Sequence, residues 1–177
     1  VSVLSKLGVK FVMNTLVGRS ITLDELRQEN DAVFIGTGAG LPSMLGIPGE
    51  DLKGNYTANE FLTRINLMRA DLFPQHSTPV TVTKNVVIVG AGNTAMDAAR
   101  AARRMGAENV HIVYRRTIKE STARIEELEH AMEEGVQFHF LNTPVKLHGD
   151  EKGWLRTAEC AVMELTEPGP DGRRGVR

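Results

Sequence analysis

The segment "NVVIVGAGNTAMDAARAARRMGAENVHIVYRR", residues 85–116, is the part of the chain that most constrains its fold. A β-branched run at 85–89 is followed by a Gly-rich turn and then by an alanine-rich stretch that ends at Gly106. Gly is typical just after a helix C-terminus, and a second apolar run, 111–114, follows it. The order strand, turn, helix, strand predicts a βαβ unit of a parallel sheet, whose first strand we expect to be buried on both faces.

The predicted helix, about 94–105, has alanines at helical spacing on one face and arginines elsewhere. We expect the alanines to pack against the sheet and the arginines to point away from it. The inward set is Ala95, Ala98, Ala99 and Ala102, and the outward set is Arg100, Arg103 and Arg104.

The turn at 90–95 has the pattern G-x-G-x-x-A. In such a turn the first Gly permits the tight bend, the second lets a pyrophosphate approach the backbone, and the small third residue lets the helix pack close to the sheet. The free N–H groups at the helix start attract anions. A purely structural turn is the alternative, but the βαβ context favours dinucleotide binding. The expected contacts are Gly90, Ala91, Gly92, Asn93, Thr94 and Ala95.

Two adjacent arginines, Arg115 and Arg116, end the second strand. Proteins that bind NAD place Asp or Glu there for the ribose 2′-OH, whereas proteins that bind NADP place Arg nearby. Guanidinium groups form paired hydrogen bonds with a phosphate. The pair therefore predicts NADP(H) as the ligand. Plain surface arginines are one alternative, and an S-adenosylmethionine site is disfavoured because it too usually has an acid at this strand end.

Composition narrows the function classes further. The chain has 21 Lys and Arg against 22 Asp and Glu, so it offers no basic surface for nucleic acid or membrane. Its longest apolar runs are too short to span a bilayer. A single cysteine, Cys160, excludes an internal disulfide, a CxxC pair and an iron–sulfur site within these residues. With so few cysteines, a reducing, cytoplasmic setting is the expectation. The five histidines lack ligand spacing, so we expect no metal.

Two segments of the chain are similar to each other, "LSKLGVKFVMNT" at 4–15 and "HAMEEGVQFHFLNT" at 130–143. Each copy predicts a helix end, a Gly and a strand, although this pattern recurs in many α/β proteins. The first copy leads to "DAVFIGTGAG", 31–40, which predicts a buried strand entering a turn, whereas the second leads to a turn-rich tail without a closing strand. We therefore expect the back half of one nucleotide-binding fold and most of a second, within a larger protein.

Several stretches together resemble one known family over nearly the whole chain: "DAVFIGTGA", "IPGEDLKGNYTANEFL", "VVIVGAGNTAMDAARAARRMGA", "VYRRT" and "EELEHAMEEGVQF". The family is that of the flavin-containing small subunit of glutamate synthase, among the pyridine nucleotide-disulfide-oxidoreductase-like flavoproteins. Its relatives include the large subunit of NADH-dependent ferredoxin:NADP oxidoreductase and the amino-terminal part of dihydropyrimidine dehydrogenase. The stretch "NLMRADLFP" is more similar to the ferredoxin:NADP oxidoreductase branch.

The resemblance implies an α/β fold: a Rossmann-like parallel-sheet NADPH-binding domain inserted into a second, FAD-binding Rossmann-like domain. It assigns 1–45 to the FAD domain, 46–80 to a connector and linker helix, and 81–177 to the NADPH domain. It also places Gly36, Thr37, Gly38 and Ala39 near the flavin. From the residues alone, this stretch is equally well a flexible turn.

The resemblance further implies hydride transfer between NADP(H) and FAD, with electrons passed on to [4Fe-4S] clusters outside these residues. The implied partner is a glutamate synthase large subunit or a ferredoxin-linked subunit. The chain carries neither the first FAD fingerprint nor the cluster cysteines, so by itself we expect it to bind NADP(H), lack flavin and catalyse little. No catalytic residue is predicted. A non-catalytic NADP(H)-sensing module is the alternative from another class.

The stretch after the arginine pair departs from the family pattern. Relatives usually have Glu-Met-Pro-Ala-Arg, and this chain has Glu120-Ser121-Thr122-Ala123-Arg124. We expect Ser121 to cap the following helix and the loop to be looser without the proline. Arg124 is a secondary candidate for the phosphate, and an ordinary solvated arginine is the alternative. The acids of that helix, among them Glu127 and Glu134, are expected to form a solvated face.

Overall fold

The computed structural model describes residues 2–38, 40–170, 172 and 174–177, and the chain divides into two compact units, 1–40 and 41–177. The first unit contains helix α1 (Ser2–Lys6) and helix α2 (Leu23–Glu29), neither of which has a buried residue. Thr22 and Glu25 form a reciprocal capping box at the start of α2. No helix in the described part of the chain is long and apolar enough to cross a membrane.

The strands expected in the first unit are not formed. Residues 9–13 and 32–36 have no regular structure, and Phe34 is 94% exposed. A strand is stable only when a neighbour accepts and donates its backbone hydrogen bonds. Among the described residues of this unit, the β-pairing is limited to an isolated bridge between Val17 and Ile21. Gly8, just after α1, has a φ of +89°, the left-handed conformation expected of a glycine that follows a helix end.

The second unit contains the predicted parallel sheet, which confirms the α/β fold class. Its strands lie in the order β1-β2-β3, and the pairs Val89–Val113 and Val113–His139 fix the register. The elements in chain order are helix α3 (Ala58–Asn66), strand β1 (Asn85–Val89), helix α4 (Asn93–Arg104), strand β2 (Asn109–Tyr114), helix α5 (Ile125–Glu133) and strand β3 (Gln137–Phe140).

Two antiparallel hairpins follow the parallel sheet. Strands β4 (Asn142–Gly149) and β5 (Leu155–Val162) form the first, and strands β6 (Leu165–Pro168) and β7 (Arg174–Val176) form the second. The tail was expected to be turn-rich without a closing strand. It does form a short hairpin, but β6 and β7 pair with each other and do not join the parallel sheet.

The core of this unit lies between α4 and the sheet, as the alanine spacing predicts. Ala99 and Ala102 on α4 and Val110 and Ile112 on β2 are completely buried. Small side chains on the helix let its backbone approach the strands closely. Helix α3 adds Phe61 to the same cluster, so α4 is held on its sheet face and supported by a second helix.

Strand β1 is not buried on both faces as expected. Val87 is 49% exposed and Val89 is 41% exposed, whereas the alternate residues Val86 and Ile88 pack against the core. The reason is topological, because β1 pairs with β2 on one side only and helix α4 contacts one face of the sheet. The other face of β1 is left largely uncovered by the described residues.

Candidate functional site

The Gly-rich turn joins β1 to α4 at the end of the parallel sheet. Gly90 has a φ of +117°, and its N–H donates to the carbonyl of Val113 at 2.9 Å. Gly92 is the N-cap of α4 and provides no side-chain cap. The N–H groups of Asn93 and Thr94 therefore have no acceptor among the described residues. A turn of this kind presents free donors and the positive helix end to an anion.

The side of this turn next to Gly92 is flanked by Thr122. A Cβ added to Gly92 would lie 3.4 Å from Thr122 Oγ1. The φ of Gly92 is −96°, which any residue can adopt. The backbone conformation at position 92 therefore does not require glycine. The absence of a side chain leaves free space beside the start of α4.

Arg115 and Arg116 follow β2 at the same end of the sheet as the turn, since Val89 and Val113 are partners in the register. Arg115 is exposed and Arg116 is half-buried. Neither side chain has an ion pair within the described residues, and Arg116 Nε is buried without a hydrogen-bond partner. Leaving such a donor unsatisfied costs about 1 to 3 kcal/mol, and more for a charged group. The oxygens of a phosphate have the charge and geometry to accept from it.

The segment after the arginines is fastened to the turn. Ser121 Oγ donates to the carbonyl of Ala91 at 2.7 Å, and the Ala123 N–H donates to the same oxygen at 3.2 Å. The Arg124 N–H donates to Asn93 Oδ1 at 2.9 Å. These bonds bring Arg124, whose side chain is exposed, to the start of α4.

The expectation that Ser121 caps the following helix is wrong. Arg124, not Ser121, is the N-cap of α5, and it makes no side-chain cap hydrogen bond. Ser121 instead contacts a residue 30 positions earlier in the chain. The loop without the proline is fastened to the Gly-rich turn by its hydrogen bonds with Ala91 and Asn93.

The turn that follows the arginines is ordered by Glu120, a role that was not expected from the sequence. Glu120 Oε2 accepts from both the hydroxyl and the N–H of Thr117, at 2.6 and 3.1 Å. The Thr117 hydrogen bonds lower the pKa of the Glu120 carboxyl against the opposing effect of burial. The Tyr114 hydroxyl donates to the Glu120 carbonyl at 2.7 Å. The Thr-x-x-Glu spacing of a capping box was the available signal in the sequence.

Arg100 and Arg103 of α4 are part-buried and bonded to neighbouring groups, whereas the side chain of Arg104 is 64% exposed. Arg100 donates to Glu127 at 2.8 Å and to Glu134 at 2.9 Å, and its side chain is only 20% exposed. Arg103 donates to backbone carbonyls, including that of Ala107 at 2.8 Å. Glu127 and Glu134 consequently belong to a link between α4 and α5 and not to a solvated face.

The other residues proposed for a cofactor lie in the first unit. Gly36, Thr37 and Gly38 have no regular structure there, and Gly38 has a φ of +69°. Ala39 lies outside the described residues. The flavin contact of this stretch stays a prediction. Across the ranges that the structure describes, no three His, Cys, Asp or Glu side chains converge as metal ligands would.

Sequence relatives cover nearly the whole chain. The β subunit of NADP(+)-dependent formate dehydrogenase from Moorella thermoacetica is 41% identical over 98% of the chain, which spans 24% of that protein. The β subunit of NADPH-Fe(3+) oxidoreductase from Geobacter sulfurreducens is 38% identical over 98% of the chain and 25% of that protein. The small chain of glutamate synthase [NADPH] from Escherichia coli is 34% identical over 95% of the chain and 36% of its own length. The chain thus spans a quarter to about a third of these relatives.

A solved structure supports the fold. FprA from Mycobacterium tuberculosis in complex with NADPH matches 93% of this chain and 50% of its own, with a TM-score of 0.69 and 21% identity. At that identity the likeness shows the fold alone. Residues 8–168 match the family model described as pyridine nucleotide-disulphide oxidoreductase, and the relatives confirm the resemblance to the glutamate synthase small subunit. With the parallel sheet and the Gly-rich turn in place, the chain belongs to the pyridine nucleotide-disulphide oxidoreductase family.

Proposed function

We propose that the second unit binds NADP(H) through the turn after β1 and the arginines after β2. The N–H groups of Asn93 and Thr94 would hold the pyrophosphate, with Gly90, Ala91, Gly92 and Ala95 giving the turn its shape and its close packing. Arg115 and Arg116 would bind the 2′-phosphate, and Arg124 is a secondary ligand.

The observation that carries this proposal is the unpartnered state of Arg116. Its Nε is buried and lacks an acceptor in the described structure, whereas Arg100 and Arg104 of the neighbouring helix are paired with Glu134. A guanidinium kept partly buried without a carboxylate is more stable when an anion binds to it. The 2′-phosphate of NADP(H) carries the matching charge, and the 2′-OH of NAD(H) does not.

We infer that the whole protein transfers hydride between NADP(H) and FAD and passes electrons on to iron–sulfur centres. In such an enzyme the flavin supplies the redox chemistry, and the protein positions the nicotinamide. The names of the three relatives above include NADP(+) or NADPH, and each is a subunit or chain of a larger enzyme. A partner subunit is therefore part of the proposal, as is a flavin contact by Gly36, Thr37 and Gly38.

The test is a set of calorimetric titrations of NADPH and NADH against the full-length protein and a variant with Arg115→Ser and Arg116→Ser. Charge-assisted hydrogen bonds contribute roughly 1.5 to 3 kcal/mol each. The double variant should therefore bind NADPH at least about a hundredfold more weakly and change much less toward NADH. NADPH affinity should also fall with salt more steeply in the wild type, because screening weakens the charge pairing.

A matched control removes two positive charges elsewhere. Lys146→Ser with Lys152→Ser, on the β4–β5 hairpin, changes the net charge equally and should leave both affinities unchanged. Equal losses for the two cofactors in the arginine variant would contradict phosphate recognition. A wild type that prefers NADH would overturn the cofactor assignment itself.

A further inference from the structure

Thr122 occupies a distinctive place beside the Gly-rich turn. Its Oγ1 lies 3.4 Å from the position that a Cβ on Gly92 would take, which places the hydroxyl beside the N-cap residue of α4. The residue is exposed, and its hydroxyl has no hydrogen-bond partner among the residues that the structure describes. It is a free donor next to the free N–H groups of Asn93 and Thr94.

The residues on both sides of Thr122 hold it there. Ser121 Oγ and the Ala123 N–H both donate to the Ala91 carbonyl, at 2.7 and 3.2 Å. The Arg124 N–H donates to Asn93 Oδ1 at 2.9 Å. Because these bonds hold the backbone before and after Thr122, the residue itself is kept beside the turn before any ligand binds, which reduces the entropy lost on binding.

We propose that the Thr122 hydroxyl donates a hydrogen bond to the pyrophosphate of the bound dinucleotide, an inference that rests on the NADP(H) site proposed above. A hydroxyl beside backbone N–H groups is a common way to complete an anion site, and its bond to a charged oxygen is stronger than one to a neutral acceptor. The family pattern noted above usually has proline here, which offers no donor. Threonine at position 122 therefore offers a hydrogen-bond donor that the usual proline would not.

The Thr122 contact and the arginine contacts involve different parts of the dinucleotide, so they affect different ligands. A hydroxyl on the pyrophosphate affects NADPH, NADH and ADP-ribose alike, because all three contain the pyrophosphate. It does not affect adenosine 2′-phosphate, which contains only the group assigned to Arg115 and Arg116. Two small ligands thus separate the two contacts.

The experiment uses the full-length protein with Thr122→Val, which keeps the shape and removes the hydroxyl, and Thr122→Ser, which keeps the hydroxyl. We expect Thr122→Val to weaken ADP-ribose and NADPH about tenfold, in the range for a hydrogen bond to a charged acceptor. Adenosine 2′-phosphate should bind unchanged, and Thr122→Ser should bind all ligands within about twofold of the wild type.

Each other outcome contradicts a defined part of this proposal. Unchanged ADP-ribose binding by Thr122→Val would overturn the hydroxyl contact while leaving the NADP(H) site intact. Equal weakening of adenosine 2′-phosphate, or a Thr122→Ser variant as weak as Thr122→Val, would show that the residue shapes the loop instead. A wild type that binds neither NADPH nor ADP-ribose would refute the proposed function, and the Thr122 contact with it.

Discussion

Gly90 and Gly92 are two residues apart, and the structure gives them different reasons to be glycine. Gly90 has a φ of +117°, a conformation that is strained for any side chain. Gly92 has an ordinary φ of −96°, and an added methyl group would meet only Thr122 Oγ1, at 3.4 Å. The first glycine is therefore needed for the fold, and the second leaves room for a ligand.

Substitution by alanine separates the two roles. Gly90→Ala should lower the free energy of unfolding by roughly 1 to 3 kcal/mol, the range for a residue held in a sparsely populated conformation. Gly92→Ala should lower the free energy of unfolding by at most about 1 kcal/mol, because Ala is a poorer N-cap residue than Gly, but it should weaken NADPH and NADH alike. Chemical denaturation and calorimetry measure the two effects. Unchanged affinity in Gly92→Ala would show that the pyrophosphate does not lie at this helix start.

Some residue roles could be predicted from the sequence and others could not. The arginine pair at the end of β2 was identified from position alone, because the end of that strand is a fixed place in a βαβ unit. The role of Ser121 was not identified in this way, because its hydrogen-bond acceptor on Ala91 is 30 positions away in the sequence. A serine before a helix predicts a cap unless a tertiary contact competes for its hydroxyl.

Ion pairs between arginines of α4 and glutamates in or just after α5 link the two helices. Arg100 and Arg104 both donate to Glu134 Oε1, at 2.9 and 2.7 Å. Burial raises the pKa of Glu134, but the hydrogen bonds from Arg104 and Arg100 outweigh it, so the pKa lies below the usual 4.5. The ionised carboxylate therefore stabilises the folded state.

This arrangement predicts a pH dependence of stability. Since the folded-state pKa of Glu134 is lowered, its contribution is present above about pH 4.5 and is lost as the pH falls through the folded value. Glu134→Gln should cost about 1 kcal/mol at pH 7, a modest value because the side chain is 26% exposed, and the difference from the wild type should shrink in acid.

The matched control for this measurement is Glu133→Gln, which removes an exposed carboxylate from the same helix. It should change stability by less than about 0.5 kcal/mol at either pH. Urea denaturation at several pH values from roughly 3 to 7 measures the free energy of unfolding as a function of pH. This interval spans the usual pKa of a carboxyl group, about 4. Parallel curves for the wild type and Glu134→Gln would contradict the role of the ion pairs.

At the scale of the whole molecule, the two units differ in what they bury. The apolar core lies within 41–177, and the helices of the first unit have five and seven residues with none buried. Isolated helices of this length are unstable in water without tertiary packing. The described residues of the first unit therefore lack the buried contacts that would fold it by itself.

We expect residues 41–177, produced as a separate chain, to unfold in a cooperative transition, and residues 1–40 to show little helix and no such transition. Circular dichroism during urea titration measures both. A cooperative transition in 1–40 would show that this segment has a core that the described residues do not reveal. A non-cooperative 41–177 would mean that its sheet depends on contacts from outside this range.

The sequence by itself determined the βαβ unit, the Gly-rich turn and the arginines at the end of β2. These features follow from local rules, namely the period of apolar residues, the conformational freedom of glycine and the fixed order of elements in the fold. Glycines at the ends of α1, α4 and α5 also have the expected positive φ, at Gly8, Gly106 and Gly135.

Only the tertiary structure decided which charges are paired and which strands form. Arg100 meets Glu134 and Ser121 meets Ala91 across more than 25 residues of chain, and no local pattern encodes such meetings. The stretch around Phe34 has the composition of a strand, yet it is exposed, because a strand also requires a neighbour to pair with. Residue type sets what a segment can form, and the contacts available to it decide whether it does.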